Sequence, residues 1–179
     1  MQLRTDLALH AAINSLTKVV LPAVDAANGP AQEQLQIVIG LLSLLTERLP
    51  LEYAFDRDEL ERALVFAEGL LAMAPEDLAS EHLAAAAVDA RGVLDGARSA
   101  PHDLQRAVRA LRECSGAMIT ALHGLADATQ REALGALVLA HQREQLTRER
   151  AWLLPQGWEA EPNALPAIAT LLGPDARPS

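Results

Sequence analysis

The side chains best suited to metal binding in this 179-residue chain are its five histidines and their acidic neighbours. Helical bundles that bind two metal ions use Glu-x-x-His on two helices, because that spacing directs both side chains at one ion. No histidine here follows a glutamate at that spacing, and the nearest pair, His141 and Glu144, has the reverse order. Two aspartate–histidine pairs are four residues apart: Asp6–His10 and His123–Asp127. Contact across one helical turn explains such pairs without a metal, so the sequence predicts solvated helix faces and no metal site.

The one cysteine, Cys114, is followed by Ser115 and Gly116, which could place hydrogen-bond donors beside a nucleophile. Cys114 falls in the middle of a predicted helix, where no unpaired backbone N–H group activates a thiol. We therefore expect a buried structural thiol. The sequence contains no Gly-x-Ser-x-Gly, no phosphate-binding glycine loop and no dinucleotide-binding motif. It predicts no catalytic residue and no cofactor.

Glycines recur inside the predicted helices, although each costs about 1 kcal/mol relative to alanine there. They leave narrow faces at four-residue spacing on two consecutive helices, one through Gly92 and one through Gly116 and Thr120. Close packing of these two helices explains the faces. The alternative is a small molecule bound between the helices, with Thr120 and His123 at the rim of an apolar pocket.

Basic side chains cluster where the predicted helix 101–126 begins. His102, Arg106 and Arg109 share one face near its N-terminus, where the helix dipole also favours anions. An acidic run of five carboxylates and one arginine occupies residues 52–61. The interpretations are an anion site, docking of the two charged patches, or two solvated faces. If a ligand binds at the glycine faces, we expect Arg106 and Arg109 to attract its anionic group.

The elements that must position these residues are helices. The chain contains 35 alanines and 32 leucines, which are among the best helix formers, against 21 valines, isoleucines and threonines. Proline, glycine and capping residues divide it into six predicted helices: 5–27, 31–49, 56–75, 75–98, 101–126 and 127–154. We therefore predict an all-α fold, an antiparallel helical bundle over residues 1–154 with an irregular, proline-rich C-terminal arm over 155–179. The arm holds at most one short helix, around 164–172.

Local patterns set the ends and faces of these helices. An apolar stripe through Leu9, Ile13, Leu16, Val20 and Val24 predicts one buried face in the first helix. Pro22 should kink or end that helix. The segments 56–59 and 127–130 resemble capping boxes and are predicted to open the third and sixth helices.

The charge balance excludes one class of partner. Fifteen basic and 24 acidic residues give a net charge of −9, which repels a phosphate backbone, so we expect no binding to nucleic acid. The most apolar segment, 37–45, is far below the ~20 residues that span a bilayer, and we expect residues 1–10 not to form a signal peptide. We expect no membrane association and a cytoplasmic location.

The last predicted helix indicates an interface. Residues 133–140 are all apolar or glycine, 142–150 are polar except Leu146, and then Trp152, Leu153 and Trp158 follow. Exposed aromatic groups of that size need a cover, which predicts a homodimer or another protein partner. The alternative is that the C-terminal arm folds back over its own bundle.

The sequence therefore favours a non-catalytic interaction or accessory protein that self-associates. A small-molecule binding domain, with its ligand between the fourth and fifth predicted helices, is the first alternative. The second is an enzyme whose site is not recognised.

Overall fold

The computed structural model describes residues 4–76, 78–96 and 99–172, which form helices and turns and contain no strand. This confirms the predicted all-α fold. The chain divides into two compact units, one made of the segments up to Glu52 and from Glu149 onward, the other of Tyr53–Arg148. We call them the terminal unit and the central unit.

The central unit contains nearly all of the apolar core. Its helices are α4 (Glu52–Met73), α5 (Glu81–Asp95), α6 (Pro101–Leu125) and α7 (Ala128–Leu153); the first residue of α4 and the last turn of α7 belong to the terminal unit. The helices meet through apolar residues at three- and four-residue spacing, including Leu60, Leu70, Leu83, Leu104, Leu111 and Leu134. Helices α5 and α6 pack closely, because Ala87 and Ala90 of α5 are buried and lack bulk that would separate the backbones.

The terminal unit begins with a helix that changes its winding before Pro22. Helix α1 (Thr5–Ser15) continues through a π-helical turn, Leu16–Val20, into α2 (Leu21–Ala23). Proline removes a backbone donor and crowds the preceding turn, and a wider π turn accommodates both effects. The extra residue shifts the inward face by one position, so Val20 is exposed and Leu21 is half-buried, contrary to the predicted stripe.

The second helix of the terminal unit is α3 (Gly29–Arg48), which is followed by a 3-10 turn at Leu49–Leu51. The side chain of Asn28 caps α3 by accepting a hydrogen bond of 3.2 Å from the Ala31 amide. Helices α1 and α3 pack against each other and form a helical hairpin. We use that name for residues 5–48.

One of the two predicted capping boxes is confirmed. At the start of α7 the Asp127 carboxylate accepts from the Gln130 amide at 2.8 Å, and the Gln130 side chain accepts from the Asp127 amide at 2.9 Å. The other prediction is wrong, because α4 has already begun at Glu52 and Asp56 lies inside it. Buried Asp56 instead accepts a hydrogen bond of 2.9 Å from Gln105 on α6, so a tertiary contact determines its role.

The predicted start of the fourth helix at residue 75 is also wrong, since α5 begins at Glu81. Pro75 and Leu78 form a separate turn closed by a backbone hydrogen bond of 3.1 Å, and Asp77 lies outside the described residues.

The first turn of the C-terminal segment of the terminal unit contacts α3. It contains 3-10 turns at Leu154–Gln156 and Pro162–Ala164 and the short helix α8 (Ile168–Leu171). The Gln156 side chain donates a hydrogen bond of 3.2 Å to the Gly40 carbonyl of α3. Residues 173–179 of the predicted arm lie outside the described residues.

Candidate functional site

The central unit has a cleft between α4 and α7, with a volume of about 390 Å³. We call it the α4–α7 cleft. One part of its wall is apolar and the other carries ionisable groups from both helices. It is lined by Asp58, Glu61, Arg62, Val65, Phe66, Leu137, Ala140, His141 and Glu144.

A chain of ion pairs runs from the buried interior to the mouth of this cleft. Buried Arg148 lies 2.7 Å from the Asp58 carboxylate, and Arg62 lies 3.0 Å from the same oxygen. Arg62 also contacts exposed Glu144 at 2.8 Å. Each charge in this series of ion pairs therefore has an opposite charge beside it.

Arg148 is the unusual member of this chain, because its side chain is only 1% exposed. It donates hydrogen bonds of 3.2 Å to the Phe55 carbonyl and to Gln145, and its guanidinium carbon lies 4.4 Å from the centre of the Phe55 ring. Its Nε has no hydrogen-bond partner among the described residues. Burial lowers the pKa of Arg148, and the adjacent Asp58 carboxylate opposes that shift.

His141 forms part of the apolar wall. Its ring stacks on Phe66 with 4.2 Å between ring centres and an angle of 8° between planes. Burial lowers the pKa of His141, and neighbouring Glu144 partly opposes this, so burial favours the neutral form of the ring. His141 is therefore a packed aromatic group rather than a member of a solvated face. The described residues contain no group of three or more histidine, cysteine or acidic side chains arranged to hold a metal ion.

The sequence did not single out Arg148 or Asp58. The segment 142–150 is polar except Leu146, yet Arg148 is buried and Gln145 is half-buried there. These two residues continue the inward stripe of Leu134, Val138 and His141 at three- and four-residue spacing. The spacing itself marks Arg148 as a member of the inward stripe, although its side chain is charged.

The residues predicted to bind a ligand are only partly brought together. Gly92 and Arg106 line an open groove of about 910 Å³ between α5 and α6. Arg106 pairs there with Asp103, and its hydrogen bond lowers the pKa of that carboxyl. His102 is exposed, and its Nε2 lies 3.3 Å from Asp103. Exposed Arg109 does not line this groove.

The other three predicted ligand residues lie on the solvent side of α6. Gly116, Thr120 and His123 are exposed and do not line the groove, and Thr120 donates its hydroxyl to the Gly116 carbonyl at 3.0 Å. The helices pack through the faces of Ala87 and Ala90, so the glycine faces lie outside the contact.

Within the central unit, the acidic segment 52–61 of α4 contacts a basic residue of α6. Arg112 of α6 lies 2.5 Å from Glu59 of α4.

The predicted interface residues fall in both units. In the terminal unit Trp152 is half-buried beneath Arg48, whose guanidinium carbon lies 5.5 Å from the ring centre and whose Nε donates to the Trp152 carbonyl at 2.8 Å. Leu153 is 44% exposed and Trp158 is 74% exposed. Leu146 belongs to the central unit and is also largely exposed.

A further exposed apolar surface lies on α3 and on the first residue of the 3-10 turn that follows it. Its members on and just after α3 recur mainly at four-residue spacing, which places them on one face. They are Ile37, Val38, Leu41, Leu45 and Leu49, each between 41% and 55% exposed. We call this set the α3 face.

No protein-family model, curated protein or solved structure matches this chain. Among the helices of the described residues, none combines the length and the apolar character needed to cross a bilayer.

Proposed function

We propose that this chain is a non-catalytic interaction protein that forms a homodimer in the cytoplasm, and that the helical hairpin provides the interface. One observation carries the proposal. Of residues 4–48, all of which the structure describes, only Leu44 is buried. Ordering each residue costs about 1–2 kcal/mol of backbone entropy, which a hairpin with one buried side chain does not recover alone.

The α3 face supports a second copy of the same chain as the partner. Its four-residue spacing forms a ridge, and two such ridges interdigitate in the most common class of helix packing. An isologous contact brings two hairpins together as a four-helix bundle, which covers the face on both copies. Glu33 and Glu47 lie away from the centre of the face on the helical wheel, so carboxylates do not oppose each other there.

Trp158 is a second exposed apolar group of the terminal unit. It lies two residues after Gln156, which contacts Gly40 of α3. Among the described residues of this unit it is the most exposed large apolar side chain. Tryptophan is enriched among the residues that anchor interfaces, because it buries a large area with few rotatable bonds. The C-terminal segment thus packs on its own α3 and still presents an anchor outward.

The test is the mass of the intact chain in solution and that of the Leu41→Glu, Leu45→Glu double variant, measured by native mass spectrometry and light scattering. Covering the exposed half of each leucine contributes about 1 kcal/mol. Two leucines on each of two copies therefore contribute roughly 4 kcal/mol, so the variant should dissociate about a thousandfold more readily. We expect a dimer for the intact chain and a folded monomer for the variant.

The control is Leu139→Glu, because Leu139 is 56% exposed on α7 and lies outside the α3 face. It should leave the dimer intact. A monomeric intact chain at high micromolar concentration would contradict the proposal. So would a double variant that dimerises as tightly as the control.

A further inference from the structure

We propose that the α4–α7 cleft binds a small organic cation, namely an amine attached to an apolar or aromatic body. The cleft volume of about 390 Å³ lies within the range of small-molecule sites. Besides His141, its apolar wall contains Val65, Phe66, Leu137 and Ala140, which can cover a hydrocarbon or aryl group. We call the rest of the lining, Asp58, Glu61, Arg62 and Glu144, the ionic wall. The two walls lie side by side, so an occupant needs both an apolar part and a charged part.

The charge of the ionic wall determines the sign of the ligand. Three carboxylates, Asp58, Glu61 and Glu144, face one guanidinium, Arg62. Buried Arg148 pairs with Asp58, and Arg62 pairs with Asp58 and Glu144, so Glu61 is the carboxylate whose partner, Arg57, lies outside the lining. The net charge of −9 on the whole chain also draws cations toward the cleft. An anionic ligand would be repelled by Glu61 and by the net charge of the chain.

Glu61 is the carboxylate best placed to receive the ligand. Asp58 is engaged by Arg62 and buried Arg148, and Glu144 is engaged by Arg62. Glu61 pairs with Arg57 one turn away at 3.4 Å, and its side chain is 52% exposed. Exposed pairs of this kind are weak, so a ligand ammonium can replace Arg57 at little cost. The ligand then places its ammonium at Glu61 and its apolar body against Val65.

The probes are 2-phenylethylamine, its neutral analogue 2-phenylethanol and the anion phenylacetate, each titrated into the full chain and followed by heteronuclear NMR of the backbone amides. We expect the amine to bind about tenfold more tightly than the alcohol, because it adds one charge-assisted hydrogen bond. Phenylacetate should bind most weakly. The amides of Val65, Phe66 and His141 should shift with the amine.

Three variants localise the effect. Glu61→Gln should weaken binding of the amine about tenfold and leave the alcohol unchanged, because it removes the charge and keeps the shape. Glu68→Gln is the matched control on the same helix, since Glu68 also pairs with an arginine but does not line the cleft. Ala140→Phe should abolish binding of both probes by filling the cleft. Glu61 and Ala140 are exposed, so both variants keep the fold, which circular dichroism verifies.

The proposal is overturned if Glu61→Gln leaves the affinity for the amine unchanged, or if phenylacetate binds as tightly as the amine. It is also overturned if millimolar amine shifts none of the amides at the cleft.

Discussion

The buried ion pair of Arg148 and Asp58 should respond very differently to the loss of each partner. Asp58→Asn removes the carboxylate 2.7 Å from a guanidinium that is 1% exposed, which leaves a buried charge without its main counter-charge. Breaking a buried pair in this way costs about 3–5 kcal/mol. Glu59 also favours the charged form of Arg148, but more weakly than Asp58 does.

Arg148→Met should cost less. Asp58 is 17% exposed and keeps Arg62 at 3.0 Å, so its charge remains compensated. Methionine fills much of the space of the arginine stem, and the main loss is the hydrogen bonds to the Phe55 carbonyl and Gln145, about 1–2 kcal/mol in total. In the Arg148→Met background, Asp58→Asn should cost under about 1 kcal/mol, because no buried charge remains.

Urea denaturation followed by far-UV circular dichroism gives the free energy of unfolding of the four chains in this cycle. Glu68→Gln is the control for an exposed pair, and its cost should stay below about 1 kcal/mol. If Arg148→Met destabilises the protein more than Asp58→Asn, the reasoning is refuted. Additive costs in the double variant would refute it equally.

Two further predictions concern pH and helix stability. Because burial lowers the pKa of His141, the unfolded chain binds its proton more readily, so the free energy of unfolding should fall as pH decreases below about 6.5. His141→Phe keeps the contact with Phe66 and should remove that part of the decrease, as denaturation of both chains between neutral and mildly acidic pH will show. Gly116→Ala should raise the free energy of unfolding by about 1 kcal/mol, because an added Cβ meets no described atom within 4 Å. Gly69→Ala should gain less, since its Cβ would lie 3.2 Å from two methyl groups of Leu137; thermal denaturation that finds Gly69→Ala the more stabilising variant contradicts this.

The sequence by itself determined the helical class and several helix ends. Alanine and leucine favour helix at nearly every position between the breakers, and these preferences act through the backbone of one residue. The signal at Asp127 was also readable, because a cap forms between residues three apart in the chain. Such contacts need no tertiary partner.

Tertiary structure decided which faces of those helices are buried. Because of the π turn before Pro22, Leu21 is half-buried and Val20 is exposed. Helices α5 and α6 pack through Ala87 and Ala90, which leaves Gly92 exposed. Each of these outcomes depends on which neighbouring helix packs against the face. The periodicity of apolar residues predicts which face of a helix is apolar, but it does not predict which helix covers that face.

Buried Arg148 shows most clearly what the sequence determines and what only tertiary structure decides. Arg148 looks like a solvated residue in the sequence, because its neighbours along the chain are polar. Its burial requires Asp58, which is 90 positions away in the chain, to supply the opposite charge, and Phe55 to supply a carbonyl and a ring. A charge is stable in a protein interior only when such partners surround it, and those partners come together only when α4 and α7 pack.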